Sequence, residues 1–275
     1  MLIHSADIER LLEEDIGAGD VTVLIVPQQT RATAEVITRE AAVLCGQSWF
    51  DAVFDHLDPS VRIQWAVAEG AEAAAGGLLC RLEGPARSLL TGERTALNLL
   101  QTLSATATIA RRYAQAVAGL AVQILDTRKT IPGLRKAQKY AVRCGGCHNH
   151  RMGLYDGILI KENHILAAGS IARAVTQARD LGADIPVEVE VETLDQLAQA
   201  IEAGAERVLL DNFELESMRQ AVALNAGRAK LEVSGNVDLA SIRAIAETGV
   251  DFISVGGLTK NVKAIDLSMR ITLLR

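Results

Sequence analysis

From residue 121 onward the apolar positions fall into short runs, each followed by a polar loop and then an amphipathic stretch. The apolar runs end near Asp126, Lys161, Glu190, Asp211, Ser234 and Val255. Helices are expected between them at 133–143, 171–181, 194–203, 215–223 and 239–247. This alternation predicts a parallel sheet with right-handed crossovers. Such a sheet can close as a barrel or stay open and doubly wound. Two features favour the barrel: polar residues gather at all six strand ends, and the last two are glycine-rich, where barrels hold phosphate. Six strands are visible, whereas a complete barrel has eight.

The first part of the chain has a different rhythm. Residues 4–14 predict a helix with Ser5 as cap and Ile8, Leu11 and Leu12 along one face. Strand formers at 33–44 and 61–67 bracket a short helix, 48–57, that carries Trp49 and Phe50. Gly70, Gly76, Gly77 and Gly84-Pro85 punctuate 69–90, which suits short strands in a small mixed sheet. Residues 91–117 are strongly helical, with a break expected near Ser104 and an apolar face of Leu97, Leu100 and Leu103. A last helix is expected over 264–274.

Composition agrees with helices packed on a parallel sheet: 49% of the 275 residues are apolar, only 3% aromatic. No apolar run approaches the ~20 residues of a membrane span. Charges interrupt MLIHSADIERLLEED too early for a secretory signal. A cytoplasmic protein with four reduced cysteines is the expectation. Cys144-Gly-Gly-Cys147-His148 spells the haem-attachment string and, with His150, half a zinc site. Haem attachment normally happens outside the cytosol, and four ligands crowded into seven positions do not suit a structural zinc site. Gly145 and Gly146 are expected instead to let backbone approach a ligand.

Charge then singles out one stretch. The formal net charge is −6, yet Asp126 to His164 holds eight Lys/Arg against three acids, a local balance of +8 − 3 = +5. A cationic island in an acidic protein suggests a small, highly anionic ligand, not a nucleic acid. Arg128 and Lys129 follow one apolar run and Lys161 follows another, so these cations sit where parallel α/β folds bind ligands. Arg135, Lys136, Lys139 and Arg143 are expected on a solvated helical face. Carboxylates stand at Glu190 and Asp211, and backbone able to cradle phosphate at Ser234-Gly235-Asn236 and Gly256-Gly257. Parity alone does not choose among Glu188, Glu190 and Glu192. Arg94, in the first turn of its helix, reads by itself as a surface ion pair with Glu93.

TRKTIPGLR, KYAVRCGGCHNHRMGLYDGILIKENH, PVEVEVE, LLDNFE, LEVSGN and DFISVGGLTK, in this order, resemble the quinolinate phosphoribosyltransferases, the carboxylating nicotinate-nucleotide pyrophosphorylases. Cys147 departs from the family pattern, where glycine is more usual. The resemblance implies an N-terminal α/β domain over 1–104 and an incomplete α/β barrel of the type II phosphoribosyltransferase kind over 105–263. It implies that the final helix, 264–275, packs back on the first domain. The implied reaction joins quinolinate to phosphoribosyl pyrophosphate, giving nicotinate mononucleotide, pyrophosphate and CO₂. Arg128, His150 and Arg151, with Arg94 from a neighbouring subunit of a homodimer, would clamp the ring carboxylates. Lys129 and Lys161 would face the pyrophosphate and the reacting centre. Glu190 and Asp211 would hold ribose hydroxyls, Mg²⁺ or both; Ser234, Gly235, Asn236, Gly256 and Gly257 would hold phosphate. The rivals are a related transferase taking another anionic ring, which IKENH and EVEVE argue against, and a non-enzymatic phospho-ligand sensor.

Overall fold

The computed structural model describes residues 5–181 and 185–274. His4, the expected start of the first helix, and Arg275, within the expected last one, lie outside the described residues. The strands are β1 (Arg31–Thr38), β2 (Ala42–Val43), β3 (Arg62–Trp65), β4 (Glu72–Ala73), β5 (Leu78–Pro85), β6 (Gln123–Leu125), β7 (Ile158–Ile160), β8 (Val187–Val191), β9 (Arg207–Asp211), β10 (Lys230–Ser234), β11 (Phe252–Ser254) and β12 (Leu267–Leu273). The chain forms two compact units: Met1–Arg111, Lys136–Gly145 and Val262–Arg275 in one, Arg112–Arg135 and Gly146–Asn261 in the other.

In the first unit the sheet runs β12-β1-β5-β3 with antiparallel neighbours, beside a short β2-β4 pair. Alternation along β1 buries Ala32, Ala34, Val36 and Thr38, so one face of the sheet is core. Helix Gln47–Leu57 buries Trp49, Phe50, Val53 and Phe54, and the Phe50 ring meets those of Phe54 and Trp65 at 5.2 and 5.3 Å. Leu97, Leu100 and Leu103 are buried, as their spacing predicts. The break expected near Ser104 does not occur, since helix Ala86–Ala116 runs through it. Ser104 instead uses its hydroxyl sideways, accepting from the Cys45 amide (3.0 Å) and donating to the Cys45 carbonyl (3.1 Å).

The expected last helix is a strand. β12 pairs antiparallel with β1 from Thr38↔Leu267 to Ala32↔Leu273. Leu267, Met269, Ile271 and Leu273 alternate with Ser268, Arg270 and Thr272, a period of two that suits the open edge of β1. Two smaller expectations also fail. Of the four residues assigned to a solvated helical face, Lys136 and Arg143 are exposed and Arg135 is half-buried, but Lys139 is fully buried. Helix Arg135–Cys144 is enclosed over a wide arc, with Ala137, Gln138, Lys139, Ala141 and Val142 all buried. Gly145 serves packing, not a ligand: a Cβ there would lie 2.4 Å from both the Ala107 carbonyl oxygen and the Ala110 Cβ.

In the second unit six parallel strands run β6-β11-β10-β9-β8-β7. β6 and β7 end the row and are not paired with each other, so the barrel is incomplete; His148 makes a lone parallel bridge to Leu125. Helices follow the strands, two of them capped by Ser170 and Thr193 hydroxyls that accept from Arg173 and Gln196 amides at 3.2 Å. Val187, Val189 and Val191 of β8 share one buried face, continued by Val208 and Leu210 of β9 and by Leu231 and Val233 of β10. Glu188, Glu190, Arg207, Asp211, Glu232 and Ser234 share the other, by the same register. The interior face of this sheet is therefore charged.

Candidate active site

Parallel strands deliver their carboxyl ends to one rim, and the sequence places functional side chains at those ends. Asp126, directly after β6, is fully buried and organises the loop after helix Arg135–Cys144. Its carboxylate accepts from the Asn149 side-chain amide (2.6 Å) and the His150 backbone amide (2.9 Å). Arg128 and Arg151 lie near enough for Arg128 to depress the Arg151 pKa, although burial is the larger cause. Arg151 donates to the Gly157 carbonyl at 2.9 Å. Arg128 Nε is buried with no hydrogen-bond partner among the described residues, an unmet donor. Lys129 reaches over Gly256: a Cβ on that glycine would meet the lysine Cδ at 3.2 Å and Nζ at 3.8 Å. The Thr259 hydroxyl donates to the Lys129 carbonyl at 2.8 Å and ties the two rim loops together.

Further round the rim, Lys161 after β7 is ion-paired with Glu190 of β8. Glu188, Glu190 and Glu192 form a depth series, buried, half-buried and exposed, which is how one strand face presents three identical residues to three environments. Asp211 ends β9 and accepts from the Asn212 side chain at 2.8 Å. Ser234 ends β10, and its carbonyl accepts from the Asn212 amide at 3.0 Å. Gly235 has φ +103°, and a Cβ there would sit 2.2 Å from Asn212 Oδ1, so the turn into Asn236 admits only glycine. Gly257 opens the short helix Gly257–Lys260 after β11.

The second unit thus assembles Arg128, Lys129, His150, Arg151, Lys161, Glu190, Asp211, Ser234, Gly235, Asn236, Gly256 and Gly257 around its strand ends. Arg94 belongs to the first unit; it is 60% exposed, with Glu93 4.0 Å away.

Below the rim lies a group that rim-focused sequence reasoning missed. His150 Nε2 is 3.0 Å from Glu188 and 3.5 Å from Glu232. Arg207 contacts both carboxylates, with Nε 3.0 Å from Glu188, and lies over the Phe252 ring at 4.1 Å. Burial pushes the Glu232 carboxyl up to about 7, helped by the nearby Glu188 charge. Glu188 is held below its ordinary value because hydrogen bonding from His150 and the Arg207 charge outweigh its burial. His150, Glu188 and Glu232 have the donor types of a metal site, but the Arg207 guanidinium already supplies their positive charge. The signal was present in the sequence: acids inside strands, and an arginine opening one, in a buried parallel sheet where apolar runs are the rule.

Residues 20–104 match the family description "Quinolinate phosphoribosyl transferase, N-terminal domain", and 106–270 match its C-terminal domain. The chain is 42% identical over 261 residues to the probable nicotinate-nucleotide pyrophosphorylase [carboxylating] of Bacillus subtilis, covering 94% of this chain and 90% of that one. It is 40% identical to the Mycobacterium leprae nicotinate-nucleotide pyrophosphorylase [carboxylating], covering 95% of each. Among solved structures, the nicotinate-nucleotide pyrophosphorylase from Francisella tularensis superposes with a TM-score of 0.94 at 49% identity, over 98% of both chains. The chain belongs to the quinolinate phosphoribosyl transferase family.

Proposed function

We propose that the protein transfers phosphoribosyl from phosphoribosyl pyrophosphate to quinolinate and releases pyrophosphate and CO₂, forming nicotinate mononucleotide for NAD biosynthesis. The observation that carries this reading is the Arg128–Arg151 pair. Two guanidiniums at one rim, one with a buried donor unmet, call for a ligand bearing closely spaced carboxylates. The turn at Ser234-Gly235-Asn236 and the Gly256-Gly257 backbone offer the cup for the ribose phosphate.

In this reading Arg128 and Arg151 hold the two carboxylates so that the ring nitrogen faces the anomeric carbon. Lys129 and Lys161 oppose the charge that grows on departing pyrophosphate. The rim charges are fixed by the fold before substrate arrives, so little reorganisation accompanies the reaction. Glu190 and Asp211 supply hard carboxylate oxygens on neighbouring strands, which fit either ribose hydroxyls or Mg²⁺. Bound there, Mg²⁺ would screen the pyrophosphate charge. Transfer leaves the ring nitrogen positive, and that charge stabilises the electron pair left on the adjacent carbon as its carboxylate departs as CO₂. Solvent or a neighbouring acid returns a proton to that carbon.

A cytoplasmic homodimer, with Arg94 of one subunit completing the clamp of the other, goes with this reading. Among the described residues no helix is long and apolar enough to cross a membrane. The test is direct: purified protein with Mg²⁺, phosphoribosyl pyrophosphate and quinolinate should form nicotinate mononucleotide, and chelation should abolish it. Absence of product with quinolinate, alongside turnover of another anionic ring, would replace the substrate.

A further inference from the structure

Two cysteines that the proposed transfer does not use meet in the first unit. Cys45, Glu69 and Cys144 come from three separate segments, yet their sulfur and carboxylate oxygen atoms lie within 4.8 Å of one another. The backbone around each is pinned. The Cys45 amide and carbonyl are both held by the Ser104 hydroxyl, at 3.0 and 3.1 Å. Leu44 beside it accepts from the Gly70 amide at 2.8 Å and donates to the Ala71 carbonyl at 2.9 Å, which brings up Glu69. The Arg111 guanidinium donates to the carbonyls of Gly70 (3.1 Å) and Cys144 (3.3 Å), so one side chain joins the other two segments.

The two thiols are not equivalent. Cys45 is fully buried, whereas Cys144 is half-buried and is the last residue of helix Arg135–Cys144. Hydrogen bonding from Cys45, and then from Tyr140, lowers the Cys144 thiol to about 7; burial and the Glu69 charge oppose this, and Arg143 assists it. Cys45 is raised, by its hydrogen bonding with Cys144 and by burial. A thiolate facing a thiol is the pairing that peroxide chemistry needs, since one sulfur attacks and the other resolves. Two sulfurs and a carboxylate are also zinc donor types. Glu69, however, already serves the start of helix Gln47–Leu57, accepting from the Gly46 and Gln47 amides at 2.9 and 3.2 Å, and Cys45 holds its proton.

We propose that Cys144 and Cys45 form a peroxide-responsive thiol pair, in which Cys144 attacks and Cys45 closes a reversible disulfide. The Cys144 thiolate attacks one oxygen of hydrogen peroxide. An S–O bond forms, the O–O bond breaks, and the departing hydroxide takes up the proton that the thiol had released. The sulfur is oxidised by two electrons and the peroxide is reduced. Cys45 then attacks the Cys144 sulfenic acid: the S–S bond forms, the S–O bond breaks, and the Cys45 proton leaves with the oxygen as water. The sulfurs need to approach by less than about 3 Å to reach bonding distance. A transient bond of this kind suits a reducing compartment, where other thiols restore the pair.

The test uses wild-type protein and depends neither on turnover nor on the identity of the substrate. Reduced protein is treated with a small excess of hydrogen peroxide, denatured, alkylated and digested for mass spectrometry. We expect a single disulfide joining the peptides of Cys45 and Cys144, removed by dithiothreitol. Cys80 and Cys147, whose thiols burial pushes up, should be recovered as free thiols. The pH profile of the reaction should have its midpoint near 7. In Cys45→Ala the reaction should stop at a Cys144 sulfenic acid, which dimedone traps. A disulfide between other cysteines, direct passage of Cys144 to sulfinic acid in wild-type protein, or a midpoint at the ordinary thiol value overturns the proposal. Stoichiometric zinc that blocks the bond does so too.

Discussion

At the scale of single residues, the strongest consequences come from charge placed where water cannot reach. Glu232 is fully buried, and its carboxyl is raised to about 7 by burial and by Glu188. Between the ordinary glutamate value and 7, the native state keeps a proton that the unfolded chain has released, so this group lowers stability as pH rises through that window. Glu188 acts in the opposite sense and in another window, since its depressed value costs stability only as pH falls below the ordinary glutamate range. Glu232→Gln, which mimics the protonated acid, should therefore gain stability relative to wild type by on the order of 2–3 kcal/mol between pH 5 and 8. Denaturant unfolding at several pH values measures this; a difference that does not change with pH would mean Glu232 is ionised throughout. Much of the rim was legible in the sequence because its cations and acids stand at or just beyond the ends of apolar runs, Lys161 and Asp211 directly and Arg128 shortly after Leu125. The buried layer left a trace, charged residues within apolar runs, but its depth was not legible. Glu188 and Glu190 have the same parity and neighbours, and only the sheet's depth, a tertiary property, separates an ion pair in the core from one at the rim.

At the scale of elements, periodicity succeeded where one face was clearly apolar and failed where two periods fitted. The six parallel strands and the helices between them follow from runs and caps that leave little choice. Residues 267–273 carry both a strand alternation and enough apolar bulk for a helix, and the unpaired edge of β1, invisible in the sequence, decides between them. Gly145 shows a related limit: its sequence setting suggests freedom for a ligand, but its role is contact with helix Ala86–Ala116. An added methyl would lie 2.4 Å from the Ala107 carbonyl oxygen and 2.9 Å from the Arg111 amide nitrogen, and backbone atoms cannot move aside as a flexible side chain can. The Arg111 guanidinium further pins this approach by donating to the carbonyls of Gly145 (3.1 Å) and Cys144 (3.3 Å). Gly145→Ala should therefore cost roughly 1–3 kcal/mol from overpacking, read as a lowered midpoint in denaturant. An unchanged midpoint would show that the helix and the turn can separate freely.

At the scale of the whole molecule, the question is whether one chain carries a complete site. The proposed cations other than Arg94 lie at strand ends or their loops in the second unit, while Arg94 lies on a helix of the first and is 60% exposed. An exposed arginine whose ion-pair partner among the described residues is the neighbouring Glu93 gains little from that pair in water. In the proposed reading it would be worth more against a dicarboxylate, whose two charges would need more than rim cations that would also face pyrophosphate. Two-fold symmetry makes supply from a second subunit testable. Take Arg94→Ala and Lys161→Ala subunits, each expected to be nearly inactive alone. In a mixed dimer, the site on the Arg94→Ala subunit keeps its own Lys161 and borrows the partner's arginine, whereas the other site lacks both groups. Random equal mixing makes about half the dimers mixed and about half of their sites complete, so about a quarter of wild-type activity should return. Co-expression or refolding supplies the exchange, and native mass spectrometry verifies the mixed species. Verified mixed dimers as inactive as their parents would place Arg94 in its own subunit's site or in none.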